Sequence, residues 1–496
     1  MRSTKRLPFL IILATALSLV AAPWLVGASL ATTGDIDFAA MDAYIQAQMH
    51  KHGLRGIALA VTQGEEILYL KGYGTAGQGR PMTPQTPMFI GSQSKSFTAL
   101  AIAQLAEEGM VDIDSPVRAY LPWFAVADDD ASARITVAHL LRHSSGLSEA
   151  GFVRILSEDT GVEDAVRALR SAQLTAPVGT QFQYFNLGYV VLDHIVETVS
   201  GQPYAEYVRQ HILDPLQMAH TYTDPAPAAR DGLSQGYSRL FGFTIPARQP
   251  SPIYELAAGY LISTAEDMAH YAIAMNNEGV YAGTRLLSAQ GMQRLFAPVH
   301  GYGMGWFIEP DHIYHGGANE TFKTFVDLYP RRNLALVLLI NHGSMLDHFV
   351  SAEQVFAGVK ALALGDEPPA VSQGVSVKVI GWGLLAFVLA LTAFHARNIC
   401  CLRNWRDRAR QWSPLKRTWD VAFSFIIPTV ILVIVLSQVK AFFGTRFNLT
   451  YQLLVMWRTL PDVCILMVVS TIPDYAQGLV KLRWLLLGRK ADAVAR

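Results

Sequence analysis

Hydrophobic residues in this 496-residue chain follow two regimes. Near both ends they run together without charge. In between they recur with helical or strand periodicity among polar positions. Leu7 to about Val26 is an uncharged run. Val379–Ala396 carries no charge over 18 residues and Val421–Val439 none over 19. Leu453–Val480 is apolar but holds Arg458, Asp462 and Asp474, so a span there is expected to start near Leu460. About 20 apolar residues cross a bilayer. Three spans are therefore expected between residues 377 and 486, with a tail at 487–496.

The central stretch reads as one domain, residues 32–365, closed by a polar, Pro-containing linker at 366–376. Phe38–His52 has a helical pattern. Gly56–Thr62 and Ile67–Tyr73 read as strands joined by a Gln-Gly turn, hence a hairpin. Ser94–Glu108 reads as an apolar-rich helix, and residues 110–290 as mostly helical with loops. Tyr302–Ile308, Phe322–Tyr329 and Leu334–Asn341 read as strands, and Asp347–Ala363 as a closing helix. Strands at both ends of a helical middle predict an α+β domain whose termini meet in one antiparallel sheet.

Charge sharpens this division. The whole chain is neutral, with 40 Lys+Arg and 40 Asp+Glu. Residues 371–496 hold 16 of the basic and 5 of the acidic residues, so the tail carries +11 and the body −11. A nucleic-acid binder would place its basic patch on the folded domain, so that class is excluded. Apolar residues make up 51% and charged residues only 16%, which excludes a disordered chain. Basic residues crowd the loop after the first C-terminal span and the end of the chain, placing both in the cytoplasm and the large domain outside. Met1-Arg-Ser-Thr-Lys-Arg6, the Leu7–Val26 run and Ser29-Leu-Ala31 match a secretory signal, expected to be residues 1–31. The three cysteines, Cys400, Cys401 and Cys464, all lie in the tail, so the domain has neither disulfides nor a cysteine metal site. Arg458 and Asp462 are four apart, a spacing that allows pairing on one helix face; residues at the outer lipid interface are expected here, with a functional intramembrane pair as the alternative.

Three constellations carry candidate chemistry. Ser92-Gln-Ser-Lys95 opens a helix, and i, i+3 spacing lets the lysine reach the serine hydroxyl. A hydroxyl attacks only when a base removes its proton, and a desolvated lysine is such a base. The Ser92 backbone N–H at a helix start is suited to an oxyanion. Tyr184-Phe-Asn186 offers a phenol to share the lysine's proton and an amide for the substrate. His315-Gly-Gly317, placed between two predicted strands, lets a substrate lie along a strand edge, with the Ala318 N–H completing the oxyanion hole. His139 and His143, and His312 and His315, are spaced like metal ligands but lack a third partner. No metal and no cofactor are expected.

In this order and spacing the three motifs resemble the serine β-lactamase and penicillin-binding-protein superfamily, in its class C and esterase-like branch. Ile135-Thr-Val-Ala-His-Leu-Leu-Arg-His-Ser-Ser-Gly-Leu147 and Ala258-Gly-Tyr-Leu-Ile-Ser-Thr-Ala-Glu-Asp-Met268 match as well, and the resemblance covers about residues 37–362. It implies a sandwich of antiparallel sheet and flanking helices with a helical subdomain. It implies Ser92 as nucleophile, Lys95 and Tyr184 as the proton-handling pair, and Asn186, His315 and Gly317 on the substrate side. His315 departs from the lysine of β-lactamases proper, which removes a fixed positive charge for a lactam carboxylate.

A signal peptide, this domain and three C-terminal spans are together similar to the membrane-bound D-asparaginyl prodrug peptidases, the group that matures colibactin. That likeness implies an inner-membrane enzyme with a periplasmic catalytic domain, acting on a small-molecule or peptide substrate with or without a lipid chain. Asn319 stands where that group reads a D-Asn side chain. Glu255 stands where it has a histidine, which turns the expectation toward an amine or cationic substrate group. Esters, D-Ala-D-Ala ends and β-lactams are the alternatives within the superfamily, and a homodimer stays open. A non-catalytic sensor would need none of Ser92, Lys95 and Tyr184.

Overall fold

The computed structural model describes residues 36–443 and 460–494, apart from 153, 373 and 375, together with Leu453, Met456 and Trp457. The expected signal peptide and Arg458 lie outside the described residues.

Helix α1 (Phe38–His52) starts at an Asp37 side chain that accepts the Ala40 N–H, and stops at Gly53 in the left-handed conformation. Strands β1 (Gly56–Gln63) and β2 (Glu66–Gly77) form the expected hairpin, with Gly64 at φ +61° in the turn. A short β3 (Arg80–Pro81) follows. The middle of the domain is largely helical, including α2 (Ser94–Glu107) and α3 (Asn186–Ser200). It also contains a hairpin that the helical expectation passed over, β4 (Tyr237–Leu240) with β5 (Phe243–Pro246). Helix α4 (Ala265–Asn276) leads back toward the sheet. There β6 (Phe307–Ile308), β7 (Ile313–Ala318), β8 (Lys323–Tyr329) and β9 (Leu334–Ile340) precede α5 (Ala352–Leu364).

The main sheet has seven strands in the order β6-β7-β8-β9-β1-β2-β3, every pair antiparallel. The first and last parts of the domain meet where β1 pairs β9, from Ile57↔Ile340 to Gln63↔Leu334. Strand β9 is buried at all seven positions, so both its faces are covered. Period two divides them. Leu334, Leu336, Leu338 and Ile340 join α1 and α5, whereas Ala335, Val337 and Leu339 face the main core with α4. Strand β1 does the same: Ile57, Leu59 and Val61 face α1 and α5, and Ala58 and Ala60 face α4. The small residues let α4 lie close on that side.

Two strand expectations are corrected. Tyr302–Ile308 is a strand only at Phe307–Ile308, because Gly301 and Gly305 adopt φ +80° and +75° and fold Tyr302–Gly305 back on itself. The His315-Gly-Gly317 motif lies on a strand, β7, rather than between strands. Helix α5 is preceded by one wide turn over Asp347–Ser351.

Beyond the linker, α6 (Val377–Leu402), α7 (Pro414–Phe443) and α8 (Pro461–Val494) pack together. Each is long and apolar enough to cross a membrane, over Val377–Leu402, Pro414–Ser437 and Pro461–Leu487. Asp462 bonds the Phe241 backbone N–H at 2.8 Å, joining α8 to the β4–β5 hairpin.

Candidate active site

The Ser92 turn exists because of two glycines. Gly91 sits at φ +57°, and a Cβ there would lie 2.5 Å from Ala318 N. A Cβ on Gly317 would lie 1.8 Å from the Ile90 carbonyl oxygen. Strand β7 therefore passes directly against the Gly91–Gln93 turn that carries Ser92, with Ala318 N beside it. Gly305 closes the turn from below: its Cβ would meet Ser96 Cα at 2.8 Å.

Lys95 follows in the first turn of α2 and is wholly buried. Its Nζ lies 3.3 Å from Ser92 Oγ, donates to Asn186 Oδ1 at 2.8 Å, and donates to the Ala258 carbonyl. It also stands 4.7 Å from the centre of the Tyr184 ring. Burial lowers its pKa to about 7, and Glu255 and Glu149 oppose that shift without cancelling it. A neutral amine is thus available near pH 7. Tyr184 goes the other way. Burial raises its pKa despite a hydrogen bond with Ser92, so the phenol keeps its proton.

Three neighbours were not singled out as site residues from the sequence. His143 grips the Tyr184 loop on both sides: its carbonyl accepts Gln183 N–H at 2.6 Å and its Nδ1 accepts Phe185 N–H at 3.2 Å. Its ring lies 4.3 Å from that of Tyr184. Burial pushes its pKa well down, so it stays neutral with the proton on Nε2. Glu149 Oε1 accepts Asn186 N–H at 3.3 Å. Burial raises Glu149 to about 7, and Glu255 likewise, with their mutual repulsion contributing to the latter. Tyr302 bonds His315 Nε2 at 3.1 Å. Only the Ile135–Leu147 stretch, which contains His143, carried any signal of these three.

His315 is buried, and both of its ring nitrogens are engaged within the domain, Nδ1 with the Gly316 carbonyl at 2.7 Å and Nε2 with Tyr302. Its pKa is lowered to about 3, first by burial and then by Lys95, so it brings no positive charge. Asn319 donates from Nδ2 to the Gly259 carbonyl at 3.0 Å, which ties β7 to the segment carrying Ala258. The structure therefore gathers Ser92, Lys95, Tyr184 and Asn186 at one point, sets Gly317, Ala318 and Asn319 along one wall, and turns His315 inward. Glu255 acts on Lys95 through charge rather than by a direct bond. His139 is used elsewhere, in a capping box with Thr136.

The family model described as Beta-lactamase matches residues 41–358. The chain belongs to that family, and so to the superfamily of serine hydrolases that resemble β-lactamases and penicillin-binding proteins. Among its relatives is protein flp of Staphylococcus aureus (strain MW2), 25% identical over 313 residues, which are 61% of this chain and 63% of that protein. Another is the unguisins hydrolase ungD' of Aspergillus campestris, 27% identical over 338 residues, 62% of this chain and 61% of that one. The match thus spans less than two thirds of these relatives' length. Among solved structures, the octameric penicillin-binding protein homologue from Pyrococcus abyssi superposes with a TM-score of 0.60 at 27% identity, over 67% of this chain and 78% of that one. FmtA from Staphylococcus aureus shares the fold, with a TM-score of 0.57 over 73% of this chain and 99% of that one.

Proposed function

We propose that this protein is a membrane-anchored serine hydrolase acting outside the cytoplasm through an acyl-enzyme, on amides next to a D-amino acid. The observation that carries the reading is the buried Lys95 amine, neutral near pH 7, within 3.3 Å of Ser92 Oγ. Ser92 Oγ attacks the scissile carbonyl carbon while its proton passes to Lys95 Nζ. The Ser92 and Ala318 N–H groups receive the developing oxyanion. The C–N bond then breaks, and the Lys95 proton reaches the leaving nitrogen through the Tyr184 hydroxyl. Water attacks the acyl-enzyme in the reverse sense and frees Ser92.

The substrate side supports removal of an N-acyl-D-amino-acid cap, D-Asn-like, from a non-ribosomal peptide. Asn319 and the open Nδ2 of Asn186 are amide partners on the cleft walls. A relative named as a hydrolase of unguisins is in keeping with a hydrolytic role. The paired carboxylates Glu149 and Glu255 favour a second reading, in which the substrate carries an amine. The basic loops support a domain on the outer side of the membrane, and the reading takes residues 32–365 as the catalytic unit after a leader at 1–31.

The test pairs N-acyl-D-Asn and N-acyl-L-Asn amides of one peptide with the detergent-solubilised enzyme, read by mass spectrometry. Cleavage of the D form alone, lost in Ser92→Ala, is expected. Cleavage of neither amide, with Ser92-dependent cleavage of an ester or an amine-bearing peptide, would move the substrate and keep the mechanism.

A further inference from the structure

The β4–β5 hairpin links the rim of the cleft to the membrane helices. At its base, a Cβ on Gly236 would lie 2.2 Å from Thr321 Oγ1, two residues beyond Asn319. Gln249, just after β5, accepts both Thr321 N–H at 3.1 Å and Thr321 Oγ1 at 2.9 Å. At its tip, Phe241 N–H reaches Asp462, Gly242 lies against the Trp382 ring, and Gly381 lies against the Phe241 carbonyl. Ser376 Oγ donates to the Lys51 carbonyl at 2.7 Å, so the end of α1 also meets the start of α6.

The two faces of the hairpin differ. On one, Arg239 holds Asp347 and the His52 carbonyl, and Thr244 holds the Gly53 carbonyl. Strand alternation turns Phe243 and Ile245 to the other face. Phe243 is 50% exposed, with its ring edge-on to Trp382 at 4.1 Å, and Ile245 is 37% exposed. Phe349, on the Asp347–Ser351 turn that packs on α6, is 58% exposed. Trp382 belongs to the second turn of α6, the depth at which a spanning helix enters lipid and aromatic residues gather. Phe243 is thus continuous with a residue of the span itself, and Phe349 stands on a turn packed on the same helix.

We propose that Phe243, Ile245 and Phe349 are seated with Trp382 in the lipid headgroup–acyl boundary of the leaflet beneath the domain. The hairpin ties the Asn319 wall, through Thr321 and Gln249, to that boundary. The cleft is held at a fixed height from which an acylated substrate reaches Ser92 while its chain stays in the bilayer. This rests on reading α6–α8 as membrane spans, and the measurement below separates the two claims without using catalysis.

The full-length chain, with Cys400, Cys401 and Cys464 replaced by Ser, is placed one copy per nanodisc of phosphatidylcholine and phosphatidylglycerol. A bimane label is attached to Phe243→Cys or Phe349→Cys. Leu389→Cys on α6 and Met110→Cys, at the far end of α2, are the references. Ile245→Cys replaces any labelled variant whose melting temperature falls. Phospholipid bearing a nitroxide near its headgroup is expected to quench positions 243 and 349 at least threefold more than position 110, and phospholipid bearing it midway along an acyl chain to quench position 389. Quenching at 389 with none above the 110 level at 243 and 349 would overturn the proposal and leave the anchor. No quenching at 389 would remove both.

Discussion

The centre of the sheet and the Ser92 pocket are both closed to solvent, yet they are built from opposite materials. Strands β1 and β9 bury alternating Leu, Ile, Val and Ala, each strand laddered to a neighbour on both sides. Each fully buried Leu, Ile or Val side chain contributes about 1.5–3 kcal/mol. The pocket buries Lys95, His143 and His315, and the burial shifts each of their pKa values toward the neutral form. Burial stabilises the first region. In the second it costs stability and supplies a base, the trade-off found where a site is prepared for chemistry. The sheet holds the pocket together: β7, which walls the site, is fixed through β8 and β9 to β1.

Substitutions that separate the two regions sharpen the contrast. Ser92→Ala is expected to cut kcat by about 10⁴-fold or more while leaving the melting temperature unchanged. Wild-type turnover would remove the nucleophile assignment. Lys95→Met should lose about 10²–10⁴-fold in activity and melt higher than wild type. The sign follows from the lowered pKa. A lysine whose pKa falls from 10.5 to about 7 on folding opposes folding fully below pH 7, and the penalty fades by pH 10.5. The gain in melting temperature should therefore be largest near pH 6, and a uniform loss would sink the desolvation account.

Leu338→Ala, on the face of β9 against α1 and α5, is expected to cost about 2–5 kcal/mol in denaturant unfolding. The pH dependence of kcat/KM, which should rise through about pH 7 as Lys95 loses its proton, should stay as in wild type. A shifted midpoint in that variant would show that sheet and pocket are not separable. His143→Asn keeps an acceptor for Phe185 N–H and should retain most activity, whereas His143→Leu should lose about 10-fold in kcat with little change in KM.

The smallest effect is expected at Glu255. Its carboxyl is raised to about 7, so it opposes folding above pH 7 and not below 4.5. Glu255→Gln should raise the melting temperature at pH 8 and leave it nearly unchanged at pH 4. A rise in KM for amine-bearing substrates alone would favour the second substrate reading.

Local pattern carried much of this molecule. The α1 helix, the β1–β2 hairpin, β8, β9 and the three apolar helices are legible because each depends on periodicity within one stretch of chain. Ser92-Gln-Ser-Lys95 is legible for the same reason, since i, i+3 residues share a helix face whatever surrounds them. Tertiary structure decided the rest. The fold-back at Tyr302–Gly305 is set by how Gly305 must fit under α2, over 200 residues away in sequence. Glu149 enters the site through a bond to the Asn186 backbone, 37 residues on, and His143 holds Phe185 across 42. Asp462 accepts the N–H of a hairpin tip 221 residues earlier, a contact no local pattern announces. Periodicity records which side of a segment is buried. The identity of its neighbour, and so the pKa of Lys95, exists only once distant segments have excluded water together.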